Sequence, residues 1–244
     1  MHRPHLQPYI IVAIVIYGVD KAMSLVKTRF TTARISNLDQ LKMAYIEIPG
    51  LNRGWRAGQH VRLRVLSSGM GVLGWAESHP FTIASAGGAH EGLVLLCKQA
   101  GDWTEKLVAL SKQVGQLEKN GVGTVKVCVD GPYGGPSRMV FSSFSGAVIV
   151  VGGSGITFGL SVVEELLMKD LRGESRIKYL ELIWVVPDPG TSSFCESTLI
   201  RLTKSPPRLS NRFDNPTRPP LLIADRAKRI PSSQDHHPLH SCPH

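Results

Sequence analysis

The sequence has no two cysteines close enough to share a metal ion. Its four, Cys97, Cys128, Cys195 and Cys242, are widely separated, and no Cys-x-x-Cys occurs. Zinc and iron–sulfur spacings are thereby excluded, and no metal ligand is assigned. Nothing demands an oxidising compartment, and Cys97 and Cys128, in apolar strand-like runs, read as core thiols. The sequence also lacks the roughly 20 consecutive apolar residues that span a bilayer. Its longest such run, Tyr9 to Val19, stops after 11 residues at Asp20-Lys21. No small-residue cleavage site follows, so it does not read as a signal peptide; it reads as a core helix or as the cytoplasmic end of a transmembrane helix, and the basic residues after it favour the second. No Gly-Lys-Ser/Thr is present, which excludes a P-loop. No basic stretch is interleaved with aromatics, so the net charge of +9 does not point to nucleic acid. Nor is there an internal repeat.

Glycine nearly disappears after residue 187, where only Gly190 remains, while 10 of the 16 prolines lie from there onward. Only Leu221-Leu222-Ile223-Ala224 in this stretch has strand character. Residues 191–244 therefore read as disordered, or as sequence foreign to the fold.

What is present begins with short alternating segments. Residues 28–34, 42–48, 60–66, 93–98 and 124–130 read as strands, and Val61, Leu63 and Val65 fall on one side. Glycine and proline punctuate them, as in an antiparallel barrel or sandwich. One helix interrupts. Trp103, Leu107, Leu110 and Val114 form its apolar face, and Asp102 and Glu105 have the spacing of a cap and its reciprocal acid. Near residue 146 the pattern changes. Ala147 to Val151 is a continuous apolar strand, Ile156, Leu160, Val163 and Leu167 mark a helix, and Ile177 to Val186 is a second apolar strand. That order is a β–α–β unit with a parallel pair.

Four glycine- or proline-bearing segments carry the chemistry. Gly152-Gly153-Ser154-Gly155-Ile156-Thr157 joins the apolar strand to the helix. Glycine lets backbone approach a ligand closely, and a helix start offers unpaired N–H groups, which suits a pyrophosphate. Gly101-Asp102-Trp103-Thr104 opens the earlier helix and suits a second pyrophosphate or an ordinary cap. His79-Pro80-Phe81-Thr82 offers an aromatic face and a hydroxyl at a strand edge, where proline is tolerated. On local physics alone it reads rather as a strand start with a core phenylalanine. Gly131-Pro132-Tyr133-Gly134 is either a tight turn or backbone left bare where two cofactors meet.

Taken together, in this order and spacing, Ser78-His79-Pro80-Phe81-Thr82-Ile83-Ala84-Ser85, Gly101-Asp102-Trp103-Thr104, Asp130-Gly131-Pro132-Tyr133-Gly134 and Val151-Gly152-Gly153-Ser154-Gly155-Ile156-Thr157 resemble the ferric-chelate reductase and NADPH oxidase family. The resemblance runs from about residue 8 to about residue 187. It implies a fold similar to ferredoxin–NADP reductase: an antiparallel FAD-binding β-barrel over residues 28–140, then a partial parallel α/β domain for NADPH over 141–190. Residues 1–27 would be the end of a transmembrane or membrane-proximal helix. His79, Pro80, Phe81 and Thr82 would line the isoalloxazine. Gly101, Trp103 and Thr104 would hold the FAD pyrophosphate side. Gly152, Gly153, Ser154, Gly155, Ile156 and Thr157 would hold that of NADPH, with Gly131 and Pro132 at the junction.

No acid or base residue is implied, because the cofactors carry the chemistry. The expected function is passage of electrons from NADPH through FAD to the haem of a membrane domain, and on to ferric iron. The expected location is the cytoplasmic face of a membrane. Oxygen as final acceptor, or an inactive fragment that binds FAD alone, are the alternatives. The sequence departs from the family in three places. No haem-binding helices precede residue 8. The final strands and Cys-Gly-Pro segment of the nucleotide domain are missing. Pro187 stands where many relatives carry a polar or basic residue.

Overall fold

The computed structural model describes residues 6–71, 73–118, 120–136, 139–185 and 222–225. Strands β1 (Arg29–Leu38), β2 (Met43–Ile48), β3 (His60–Val65), β4 (His79–Thr82), β5 (Leu93–Lys98) and β6 (Val122–Tyr133) form one sheet in the order β4-β3-β6-β1-β2-β5. Every pairing in it is antiparallel. A single bridge, Ile83 to Leu95, draws the two edges together, so the sheet curls into a nearly closed barrel.

The alternation that marks these strands in the sequence is the alternation of their burial. Val61, Leu63 and Val65 of β3 are in the core, as are Ala33 and Ile35 of β1 and Val125, Val127 and Val129 of β6. β5 is different, since Leu93 to Cys97 are all buried. Leu93, Leu95 and Cys97 face the barrel core, whereas Val94 and Leu96 join a second core shared with the α/β half. A strand covered on both faces has no reason to alternate.

Helix α2 (Asp102–Leu117) closes one end of the barrel with Trp103, Leu107 and Leu110. Its cap lies one residue earlier than the spacing of Asp102 and Glu105 indicates. Gly101 is the N-cap and Asp102 the first helical residue. Thr104, not an acid, reaches back, its hydroxyl accepting from the N–H groups of Ala100 at 2.8 Å and Gly101 at 3.0 Å.

The second half runs β7 (Gly146–Gly152), α3 (Ile156–Leu171) and β8 (Tyr179–Val185), with β7 and β8 parallel. β9 (Leu222–Asp225) adds a third parallel strand beside β8. The strand expected in the tail thus forms, one residue later than its sequence limits. The rest of the tail, 191–221 and 226–244, lies outside the described residues.

Helix α3 joins the halves through three backbone N–H groups of barrel loops. Glu165 Oε2 accepts from Ala57 at 2.7 Å, Ser161 Oγ from Gly58 at 3.1 Å and Glu164 Oε2 from Ala86 at 2.6 Å. Gly58 has φ +82°, and a Cβ there would sit 2.5 Å from the Phe158 ring, so no other residue permits this approach.

Helix α1 (Gln7–Lys27) is longer than the eleven-residue run indicates. It has 21 residues and a mean hydropathy of 1.8, and none of its most apolar window is buried. At ~1.5 Å per residue it is about 32 Å long, against a bilayer core of about 30 Å. Counting only uninterrupted apolar residues stopped at Asp20, but Ala22, Met23, Leu25 and Val26 continue the apolar surface beyond it. Among the described residues it is the one helix long and apolar enough to cross a membrane.

Burial raises the Glu164 carboxyl from 4.5 to about 7, against the opposing pull of the Ala86 N–H, and Glu91 pushes it up further. The folded chain therefore holds a proton that the unfolded chain releases between these two values. Stability contributed by Glu164 is full below pH 4.5, falls as pH rises, and is lost above pH 7. The total is about 3 kcal/mol at most. Denaturation midpoints followed across this range should fall more steeply in the native chain than in Glu164→Gln, whose amide oxygen still accepts from Ala86.

Candidate functional site

The barrel is left open between β4 and β5. β4 pairs only with β3 and β5 only with β2, and their facing edges touch at one bridge, Ile83 to Leu95. Backbone groups of His79–Thr82 on that side are unpaired in the sheet, which leaves a slot whose walls are hydrogen-bonding edges. Pro80 is tolerated because an edge needs no N–H from it. The start of α2 lies at the His79 end of β4, where Trp103 stacks on His79.

Side chains of β4 alternate about the slot. His79 and Phe81 turn towards Trp103. The His79 ring stacks on it at 4.3 Å between centroids and Phe81 lies at 5.9 Å. His79 Nε2 also lies 3.2 Å from Glu77 Oε2. Thr82 is half-buried, and its hydroxyl has no hydrogen-bond partner among the described residues. Trp103 itself is 5% exposed and donates from Nε1 to the Gly74 carbonyl at 3.2 Å. Its side chain is a support behind β4, and only its backbone belongs to the helix start.

At that start, Gly101 is extended, and a Cβ on it would meet nothing within 4 Å. The N–H groups ahead of Glu105 have no intrahelical acceptor. The Thr104 hydroxyl is occupied in holding residues 100 and 101, so it shapes the loop. Lys98, the exposed last residue of β5, brings a cation to the same end of the slot. Sequence reading passed over it. The available signal was a lone charge closing an apolar strand three residues before a glycine.

The second helix start is built similarly. β7 ends at Gly152, Gly153–Gly155 form one tight turn and α3 follows. Gly153 has φ +50°, and around the missing Cβ of both Gly152 and Gly153 there is open space. Ser154 is exposed. Ile156 and Thr157 are buried, and the Thr157 hydroxyl donates to the Ser154 carbonyl at 3.2 Å. Trp184 Nε1 donates to the Gly153 carbonyl at 2.9 Å and so fixes the turn from β8. That role was not legible in the sequence, where Trp184 is one more apolar residue of a strand.

Gly131 and Pro132 lie near the end of β6. A Cβ on Gly131 would meet protein atoms, namely Tyr133, the His60 carbonyl and Val61, at 3.2–3.3 Å. Gly131 is thus held to glycine both by its φ of +134° and by the packing of β3 against it. The chain just beyond reaches the second helix start, since the missing Cβ of Gly58 faces Pro136 at 3.2 Å as well as Phe158 of α3. The structure thereby brings the end of β6, the loop before β3 and the first turns of α3 to one seam. Among the described residues no group of three or more His, Cys, Asp or Glu could hold a metal.

Among the described residues, the half-exposed Thr82 hydroxyl has no protein partner, the start of α2 has N–H groups without an intrahelical acceptor, and the glycine turn before α3 has open space where side chains would stand, features that fit a dinucleotide. Residues 26–137 match the FAD-binding domain family. The chain is 31% identical to human dual oxidase 2 over 190 residues, which are 75% of this chain and 11% of that protein. It is 28% identical over 159 residues to ferric reduction oxidase 4 of Arabidopsis thaliana, covering 64% of this chain and 20% of the relative. It is 24% identical to human NADPH oxidase 5 over 216 residues, covering 75% and 27%. The chain thus spans about a tenth to about a quarter of these relatives. In fold it is similar to ferredoxin–NADP+ reductase from Plasmodium falciparum, with TM-score 0.52 and 13% identity over 84% of this chain and 73% of that one.

Trp103 supports β4 and fills the barrel end at once. Trp103→Ala should lower stability by about 3–5 kcal/mol, measured by chemical denaturation. Trp103→Phe keeps a ring beneath His79 but loses the bond to Gly74 and part of the indole's packing, so a smaller loss than for alanine is expected, about 1–3 kcal/mol.

Proposed function

We propose that the chain, which is similar to ferric reductases and NADPH oxidases and carries their kind of FAD-binding domain, is a flavin-dependent oxidoreductase module that takes electrons from NADPH through FAD. Their onward route is the haem of a membrane domain and then ferric iron on the far side. The observation that carries this reading is the open slot between β4 and β5, which has the start of α2 at its His79 end and is docked through α3 to a second open helix start.

In this reading His79, Pro80, Phe81 and Thr82 line the isoalloxazine, and the free Thr82 hydroxyl meets its polar edge. Gly101, the backbone of Trp103 and the loop held by Thr104 receive the FAD pyrophosphate, and Lys98 offsets its charge. Gly152, Gly153, Ser154 and Gly155 receive that of NADPH, with Ile156 and Thr157 anchoring the turn. Gly131 and Pro132 stand at the junction. When bound, FAD supplies the chemistry of accepting a hydride from nicotinamide and releasing electrons singly. The protein's part is to orient. Trp103 stiffens β4 from behind, Trp184 fixes the second turn, and α3 holds both starts on one rigid frame, as near-attack geometry requires. No side chain need move a proton.

Helix α1 would anchor the module to the membrane. Lys21, Lys27, Arg29 and Arg34 follow its apolar part, which favours the cytoplasmic side. The oxidases among the relatives favour a second reading in which oxygen is the final acceptor. A third reading, FAD binding without NADPH, is favoured by the bare face of the parallel sheet, where Val148 is 56% and Val150 66% exposed.

The test is the visible spectrum of the purified full chain, without oxygen, before and after NADPH. Yellow protein that bleaches is expected. Colour that persists supports the third reading, and a colourless preparation given FAD overturns the proposal. Thr82→Val should weaken FAD binding roughly tenfold, equivalent to about 1.4 kcal/mol, by fluorescence titration.

A further inference from the structure

One polar cluster of the barrel lies outside the slot and outside both helix starts. It sits where α1 meets β6. Every residue of α1 is exposed except Ser24 and Lys27, which are half-buried, so the helix touches the barrel only through its last turn. There Ser24 Oγ donates to Asp130 Oδ2 at 2.8 Å. The Tyr133 hydroxyl donates to the other oxygen, Oδ1, at 2.5 Å. Thr28 Oγ1 donates to the Ser24 carbonyl at 2.9 Å, which tightens the final turn. Lys27 Nζ lies 4.9 Å from the Tyr133 ring centre and Arg62 lies 5.9 Å from it. Both oxygens of one carboxylate are thus used, one on the helix and one on the strand's own continuation.

The placement gives the cluster a role. Asp130 and Tyr133 flank Gly131 and Pro132, the segment proposed above as the junction of the two cofactors. The same carboxylate that holds the seam therefore holds the helix. A surface ion pair could not do this, because exposed charges slide against each other in water. Two hydroxyls on one half-buried carboxylate define a direction. Burial and the bond to Asp130 both raise the Tyr133 phenol above its ordinary value, so it remains a donor.

We infer that Ser24, Asp130 and Tyr133 are positioning residues that lock the direction in which α1 leaves the barrel, and so set the distance from the seam to any acceptor in the membrane. The membrane part of this inference rests on the reading given under the proposed function, whereas the clamp itself does not.

The experiment uses the full chain in lipid nanodiscs with FAD added. Spin labels are placed at Val15→Cys on α1 and Lys126→Cys on β6, both exposed sites, with Cys195 and Cys242 replaced by serine. Pulsed electron-spin distance measurement should give one narrow distribution for the parent. Asp130→Ala should broaden it by about twofold or more, as expected for a helix free to pivot. Tyr133→Phe, which keeps the ring beneath Lys27, should broaden it less. Ser24→Ala removes the helix side of the clamp, leaves the barrel core untouched and should match Asp130→Ala. It guards against the case in which Asp130→Ala disturbs the barrel. An unchanged narrow distribution in Ser24→Ala and Asp130→Ala overturns the clamp. The flavin spectrum of the same parent sample reports separately on the cofactor reading. A colourless parent with the broadening intact sinks that reading and keeps the clamp.

Discussion

The two candidate sites can act together only if they face one another, and that depends on the seating of α3 against the barrel. Three N–H groups, of Ala57, Gly58 and Ala86, meet acceptors on one helix. These N–H groups lie in loops, where no ladder satisfies them, and burial beneath a helix would otherwise leave them costly. Placing a carboxylate there is the harder half of the arrangement. Glu164 is 8% exposed, and its raised pKa is the sign that water has been removed from around it. Glu165 sits under less strain, because Lys169 pairs with its other oxygen one turn along.

The barrel's incompleteness is a consequence of its sequence. β4 is four residues long and contains proline, which cannot donate to a further ladder. The pairing of β3 with β6 slips between His60 and Arg62, which bends the sheet where β4 must leave it. An unpaired edge in a sheet invites association with other chains. Here shortness, proline and the stacking of His79 on Trp103 limit that hazard. The same features keep the slot from closing by further strand pairing, so the edge stays open where the flavin ring is proposed to lie.

How far the sequence could be read follows from the range of each interaction. The alternating strands, the apolar face of α2 and the β–α–β unit are local patterns, and each formed within a few residues of its expected limits. Gly152 to Gly155 could be read as an open turn because glycine's effect is local too. The cap of α2 was misplaced because two acids at the right spacing outweighed a glycine and a threonine that do the work. Trp184, Glu164 and the Ser24–Asp130–Tyr133 cluster were not legible. Their partners lie 31, 78 and 106 residues away in the longest case of each. Trp103 carried two readings, one on the apolar face of α2 and one in the glycine motif, and its ring is buried on the first.

The two halves do not stand on equal footing. The barrel has a core of its own, enclosed by six strands and α2. The core of the α/β half includes Ala57, Ala84, Val94 and Leu96, all of which belong to the barrel or its loops. Its sheet is covered by α3 on one side, and on the other Val148 and Val150 face solvent. A layer covered on one face buries less apolar surface than a three-layer α/β unit does. The described α/β half therefore takes part of its stability from the barrel through the outer face of β5. Loosening that face would release α3 and turn the second helix start away from the first, so the stability of this half and the alignment of the two sites are the same property.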